Sequence, residues 1–176
     1  MKINIHHKTL ILEDAQEFIK RYHRHSKPLK RHRFSIGAFI NNRLVGVVSL
    51  DNCSSHGWSK YKSFIEIRRS CINEDVSEKN VSSYLLDKAV KACFAMGFDH
   101  IITYTKPHES GSSLKALGFY VYYYTYIKRT KEITLLTWVI SRSKKEGNYR
   151  GNKVRLIDHS STDNTFKKIK EFNNVS

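Results

Sequence analysis

The sequence predicts an α/β domain built on one mixed, mostly antiparallel sheet with flanking helices. Three stretches carry that expectation. FSIGAFI and RLVGVVSL are apolar runs separated only by the pair Asn41-Asn42, and together they read as an antiparallel hairpin. VSSYLLDKAVKACFAM places Val81, Leu85, Ala89, Cys93 and Met96 on one helical stripe. That helix is flanked by two strand-like runs, SFIEIRRSCI and HIITYT, as a strand–helix–strand unit requires.

The remaining elements follow in chain order. KINIH is a short strand. From Leu12, a helix sets Ala15, Phe18, Ile19 and Tyr22 at helical spacing, with Glu13 and Asp14 in the first turn, where the helix dipole favours anions. Pro28 closes it, leaving residues 24–33 as a basic loop. After the hairpin, NCSSHGWSKYKS is a polar loop. In SFIEIRRSCI, a regular strand puts Glu66, Arg68 and Ser70 on one face and Ile65, Ile67, Arg69 and Cys71 on the other. NEDVSEKN is a connection rich in capping residues, and Gly97 stops the long helix. PHESG is a turn and SSLKAL a short helix ended by Gly118. YVYYYTYIKRT and EITLLTWVISR form a second hairpin turning near Lys131. Apolar content falls after Arg142, so residues 1–142 are expected as one domain and 143–176 as a basic tail.

With 40% hydrophobic and 12% aromatic residues, the 176-residue chain has enough apolar material for a core. No apolar run approaches the ~20 residues of a membrane helix, and MKINIHHK has no signal-peptide core, so a soluble cytoplasmic protein is expected. Cys53, Cys71 and Cys93 are odd in number and widely spaced, which fits reduced thiols and neither a disulfide frame nor a zinc knuckle. The net charge of +15 implies a polyanionic partner, with nucleic acid the usual one.

The densest positive stretch is RYHRHSKPLKRHRF, residues 21–34, which contains no acidic residue. Arg21, Arg24, Lys27, Lys30, Arg31 and Arg33 are its candidate phosphate contacts. His23 and His25 lie two apart, on different sides of a helix, and no carboxylate or cysteine joins them at ligand spacing. No metal site is therefore expected.

Several motifs together resemble the GNAT N-acetyltransferase superfamily, and within it a phage branch similar to the Mom DNA-modification protein. HRHSKP contributes His23, Arg24, His25, Lys27 and Pro28; HRFSIG contributes His32, Phe34, Ser35 and Gly37. EIRRSC carries Glu66, Arg69 and Cys71, and KNVSSYL carries Lys79, Asn80, Ser83 and Leu85. ITYTKPHESGSSLKALGF adds Tyr104, Thr105, Glu109, Gly111, Leu114, Ala116 and Gly118. The similarity covers about residues 12–126.

The resemblance implies two central strands that splay apart, with acetyl-CoA or another acyl-CoA in the gap and its pyrophosphate at the next helix N-terminus. That end is Lys79-Asn80-Val81-Ser82-Ser83, where free N–H groups and two hydroxyls suit phosphate; ordinary capping by Asn80 or Ser82 accounts for the same residues. Two departures stand out. No glycine lies between Cys71 and Ser83, where most of the superfamily has a glycine-rich turn, and Leu114 occupies the position of a common tyrosine acid.

Acyl transfer to an amine needs a neutral amine, a polarised carbonyl and a proton path. Candidate residues are Glu66 and His25 for the nucleophile, Arg69 for an anionic substrate group and Tyr104 as the acid. The backbone around Cys71 and Ile72 is the candidate carbonyl-oxygen donor. Glu66 and Arg69 share a face only if the strand bulges. Glu66 as a surface ion pair and Tyr104 as a core residue are the simpler roles. The tyrosines of YVYYYTY offer either a base-stacking platform or one half-buried face of a strand. Three functions remain open at this level: acylation of adenine's exocyclic amine in DNA, acylation of an aminoacyl-tRNA or protein amine, or nucleic-acid binding without catalysis.

Overall fold

A computed structural model describes residues 4–23, 27–76 and 80–142. Seven strands form one sheet: β1 (Ile5–Leu10), β2 (Phe34–Ile40), β3 (Arg43–Asp51), β4 (Phe64–Ile72), β5 (His100–Thr105), β6 (Tyr120–Tyr126) and β7 (Ile133–Ser141). Their spatial order is β1-β2-β3-β4-β5-β7-β6, and every neighbouring pair is antiparallel except β4–β5. The helices are α1 (Leu12–Tyr22), α2 (His56–Ser59), α3 (Val81–Ala95) and α4 (Ser112–Ala116).

The expected fold class and element order hold, with particular differences. The first strand runs over Ile5–Leu10 because its pairing extends to Leu10 opposite Ser35, although His6, His7 and Lys8 hide the alternation. The loop expected over 52–63 contains the one-turn helix α2. Met96 is 57% exposed: Gly97, at φ +95, turns the chain away before Met96 reaches the sheet.

The hairpin turns form as their residues dictate. Asn41 and Asn42 have φ of +49° and +61°, and Lys131 has φ +60° at the second turn. Helix α1 carries Glu13 and Asp14 in its first turn and Lys20 and Arg21 in its last, matching the dipole at both ends. Its Ala15, Phe18 and Ile19 pack on Val47 and Cys71. Helix α3 buries Val81, Leu85, Leu86, Ala89, Val90 and Cys93 against the opposite face of the sheet. Loss of a side chain such as Leu85, fully buried there, costs about 2–5 kcal/mol.

One irregularity changes which residues share a face. Ser49 pairs with Arg69 but Leu50 pairs with Ile67, so β4 holds one extra residue, Arg68. Ile65 and Ile67 therefore join the α3-side core, whereas Cys71 lies in the α1-side cluster. Glu66, opposite Asp51, and Arg69, opposite Ser49, both project to the α1 side. The regular alternation expected from sequence is corrected here: the bulge reverses it after Arg68.

Near the end of the domain, Gly111 sits at φ +60°, and a Cβ there would meet the Trp138 ring at 2.5 Å. Trp138 is itself held by a bond from its Nε1 to Thr105 Oγ1 at 2.9 Å. Gly111→Ala is expected to lower stability by about 1–3 kcal/mol, read as a lower thermal midpoint, whereas Gly57→Ala, whose Cβ would meet only Ser55 Oγ at an ordinary 3.9 Å, changes it little.

Candidate active-site cleft

The parallel ladder between β4 and β5 is short. Phe64, Ile65 and Glu66 pair with His100, Ile101 and Ile102, and beyond them the strands diverge. At the apex, Thr103 Oγ1 donates to Ile67 O at 3.1 Å, so a side chain replaces the next ladder bond. From Arg68 onward β4 is paired with β3 alone. A cleft of about 440 Å³ occupies the gap, lined by Glu66, Arg69, Ser82, Tyr104 and Leu114 among others.

Glu66 is buried at 4% exposure and strongly held. Its Oε2 accepts from the Ser54 amide at 2.7 Å and the Ser54 hydroxyl at 2.8 Å, and its Oε1 pairs with Arg68 Nε at 3.2 Å. Three donors thus occupy most of a carboxylate's acceptor capacity. Glu66 fastens the segment after β3 to the cleft while retaining one acceptor position. Sequence reading missed Ser54, Arg68 and Thr103 as parts of this arrangement. The bulge that enlists Arg68 has no local signal, and Ser54 looks like any loop serine.

Tyr104 lies on the same face as Glu66, and its hydroxyl is buried without a hydrogen-bond partner. Burial raises its phenol above the ordinary value, and the Glu66 charge adds to the effect. It therefore stays protonated, as a donor in search of an acceptor. Arg69 donates through Nε to Lys27 O at 3.0 Å and through Nη1 to Arg68 O at 2.6 Å. Burial lowers its basicity, followed by the like charge of Arg68. Its observed bonds anchor the basic loop to β4.

The expected cofactor residues divide. Ser82 lines the cleft, and the Ser83 hydroxyl bonds to Asn80 O at 3.1 Å. Asn80, at φ +72°, precedes α3 without a side-chain cap, so ordinary capping by Asn80 or Ser82 is not what occurs. The Cys71 side chain points into the α1-side core, and Ile72 packs on the α3-side core; neither side chain lines the cleft. Of the two expected backbone donors only Ile72 N–H faces the edge that β5 has left: Asn73 N–H donates to Val45 O, and the same register turns the Cys71 N–H toward Val47 of β3. Lys79, Arg24 and His25 lie outside the described residues, as does the tail. His23 lines the cleft.

The rest of the basic stretch is pinned along its length. Leu29 is buried and its carbonyl accepts from Gln16 Nε2 at 2.6 Å. Arg31 pairs with buried Asp51 at 3.3 Å, His32 Nδ1 and Ser35 Oγ are 2.6 Å apart, and Arg33 Nε donates to Asn52 Oδ1 at 2.6 Å. The acid missing from the local sequence is supplied by Asp51. Arg21, Lys27 and Lys30 are exposed. On β6, Tyr123 is buried and Tyr122 packs edge-on against Trp58 at 5.4 Å, so these two are core in large part. Among the described residues, no three His, Cys, Asp or Glu side chains gather as a metal site.

Solved acetyltransferases have a similar fold. An acetyltransferase of the GNAT family from Streptococcus pneumoniae superposes with a TM-score of 0.59 at 13% identity, covering 78% of this chain and 99% of the other. The fold is that of the GNAT acetyltransferases. The ribosomal-protein-S18-alanine N-acetyltransferase from Escherichia coli gives 0.59 at 10% identity, covering 80% of this chain and 95% of that enzyme. A Bacillus subtilis acetyltransferase in complex with CoA gives 0.53 at 15% identity, with 80% and 99% covered. No protein-family model and no curated protein matches the sequence.

The three cysteines of this GNAT fold are free and buried, and burial pushes each thiol from 9.0 up to about 12, with the Glu66 charge adding at Cys53. The native protein should resist iodoacetamide at neutral pH and react at all three sites once unfolded. A thiol that stays neutral in the fold contributes stability below about pH 9, and that contribution is lost as pH rises toward about 12. Denaturant midpoints measured across that range test the sign.

Proposed function

We propose that the chain is an acyl-CoA-dependent N-acyltransferase whose acceptor is an amine in nucleic acid. The observation that supports this best is the opened β4–β5 pair leading to an uncapped helix N-terminus. The fit to an acyl-CoA rests on the same features. Free amides at the start of α3, with Ser82 beside them, suit a pyrophosphate; the unpaired edge of β4 suits an amide-bearing arm. Lys79, Asn80 and Ser83 belong to that end of the site. When bound, the thioester supplies the activated acyl group.

The chain's own residues supply the rest. The backbone N–H of Ile72, on the edge that β5 has left, is a donor for a carbonyl oxygen. Glu66, through its remaining acceptor position, orients or deprotonates the incoming amine, and the family resemblance adds His25 as a second base. Tyr104, kept protonated by burial and by Glu66, is the available proton donor where Leu114 provides none. Arg69 holds the basic loop against β4 and so positions Lys27 and its neighbours.

For the acceptor, the +15 charge and the exposed Arg21, Lys27 and Lys30 support a polyanion. Similarity to the Mom branch refines this to the exocyclic amine of adenine in DNA, with residues 1–142 as the catalytic domain and Arg21, Arg24, Lys27, Lys30, Arg31 and Arg33 on its nucleic-acid side.

Two measurements test the reading. Saturating acetyl-CoA should raise the melting temperature, and the absence of any shift would leave a binding protein without catalysis. Nucleosides from DNA of cells expressing the protein should include a mass-shifted adenosine. Unmodified DNA together with a working cofactor site would move the acceptor to aminoacyl-tRNA or protein. In the same assay, His25→Ala should abolish modification while oligonucleotide binding stays within about twofold of the wild type.

A further inference from the structure

The segment from Asn52 to Ile65 contains no acidic residue, but it holds His56, Lys60 and Lys62 together with Trp58, Tyr61 and Phe64. Lys60 and the three aromatic residues gather at the paired end of β4 and β5, before Glu66, which lines the cleft. Trp58 packs against Phe64 at 5.0 Å between ring centres and lies nearly parallel to Tyr123 at 6.4 Å. Tyr61 packs on Phe64 at 5.6 Å, yet it is 49% exposed, with Lys60 Nζ 5.1 Å from its ring centre. Phe64 precedes Glu66 by two residues, about 7 Å along a strand. Trp58 and Tyr104 belong to one apolar cluster, and Ser54 ties the segment to Glu66. Arg33 and Arg68 border it through Asn52. The nearby acids are each matched by a cation: Asp99, joined by its backbone to Ser63, faces Arg142, Glu66 pairs with Arg68, and Asp51 pairs with Arg31.

We propose that this segment is a base-stacking site: Tyr61, braced from beneath by Phe64, stacks a base of a single-stranded stretch, and Lys60 and Lys62 meet its phosphates. An exposed tyrosine held on an aromatic base and flanked by two lysines has the chemistry such strands use. The existing Lys60–Tyr61 contact does not oppose it. A cation over an exposed ring is worth about a two- to fivefold factor, whereas a stacked base is worth about 5- to 150-fold. The ring thus exchanges Lys60 for a base, and the ammonium moves to a phosphate. The site also explains how an acceptor strand is held next to Glu66 and Tyr104 while one of its bases occupies the cleft.

This proposal rests on the nucleic-acid reading above, and its test separates the two. Oligothymidylate is titrated into the full chain over a range of salt concentrations, with tryptophan fluorescence and filter binding as readouts. Trp138 is 2% exposed and bonded to Thr105, so Trp58 dominates any fluorescence change. Wild type should bind with quenching. Tyr61→Ala should bind about 5- to 150-fold more weakly with an unchanged melting temperature, and Tyr61→Phe should stay within about twofold. Replacing Lys60 and Lys62 together with alanine should flatten the log–log salt slope by about 1.4. Wild-type binding that Tyr61→Ala leaves intact overturns the stacking site alone. Failure of the wild type to bind, or displacement of the oligonucleotide by polyglutamate at equal charge concentration, overturns the nucleic-acid reading and this site with it.

Discussion

The site depends on one constraint, the early end of hydrogen bonding between β4 and β5. In the middle of a sheet, strands that part leave backbone groups without partners, and buried groups of this kind are costly. Three features keep the opening stable. Thr103 satisfies the Ile67 carbonyl at the apex. Helix α3 and Trp138 support the strands from one side. The Arg68 bulge redirects the far half of β4, so Glu66 and Arg69 meet the same side while Cys71 returns to the core. A β4 without the extra residue would point Arg69 away from Glu66 and release the basic loop from its anchor.

The second organising influence is how few acids serve so many cations. With sixteen acidic residues against thirty-one lysines and arginines, the buried carboxylates act as fasteners. Asp51 fixes Arg31, and Glu66 fixes Arg68 and Ser54. Each is nearly inaccessible, so its bonds are less screened than surface pairs, which contribute little. The loop that looks like free positive charge in sequence is a shaped surface, held at Lys27, Leu29, Arg31, His32 and Arg33, with Lys27 and Lys30 turned outward.

Much of the fold was legible because its signals are local. Apolar periods, Asn-Asn, Gly97 and Gly118 depend on neighbours a few residues away, and helices α1, α3 and α4 and both hairpins follow from them. The site was legible in part. Glu66, Arg69, Tyr104 and Ser82 do meet at one cleft. Ser54 and Thr103 carry no local mark, because their partners lie 12 and 36 residues away in sequence. Cys71 and Ile72 were expected as backbone donors, but only the register with β3 decides that Ile72 N–H, and not that of Cys71, faces the opening. Within the β6 tyrosine run, a shift in register between Val121 and Tyr123 decides what is core, and no alternation rule foresees it.

By itself the sequence determined the elements other than α2, their order, the positive charge and the absence of a local metal pattern, all of which are properties of composition and short-range spacing. Tertiary structure decided three things: the strand order that leaves β4 and β5 as the parallel pair, the face on which each residue after Arg68 lies, and the conversion of a basic loop into an anchored rim. These are long-range outcomes. One added residue in a strand reverses every side chain beyond it, and a charge becomes structural or free according to which distant carboxylate or carbonyl it reaches.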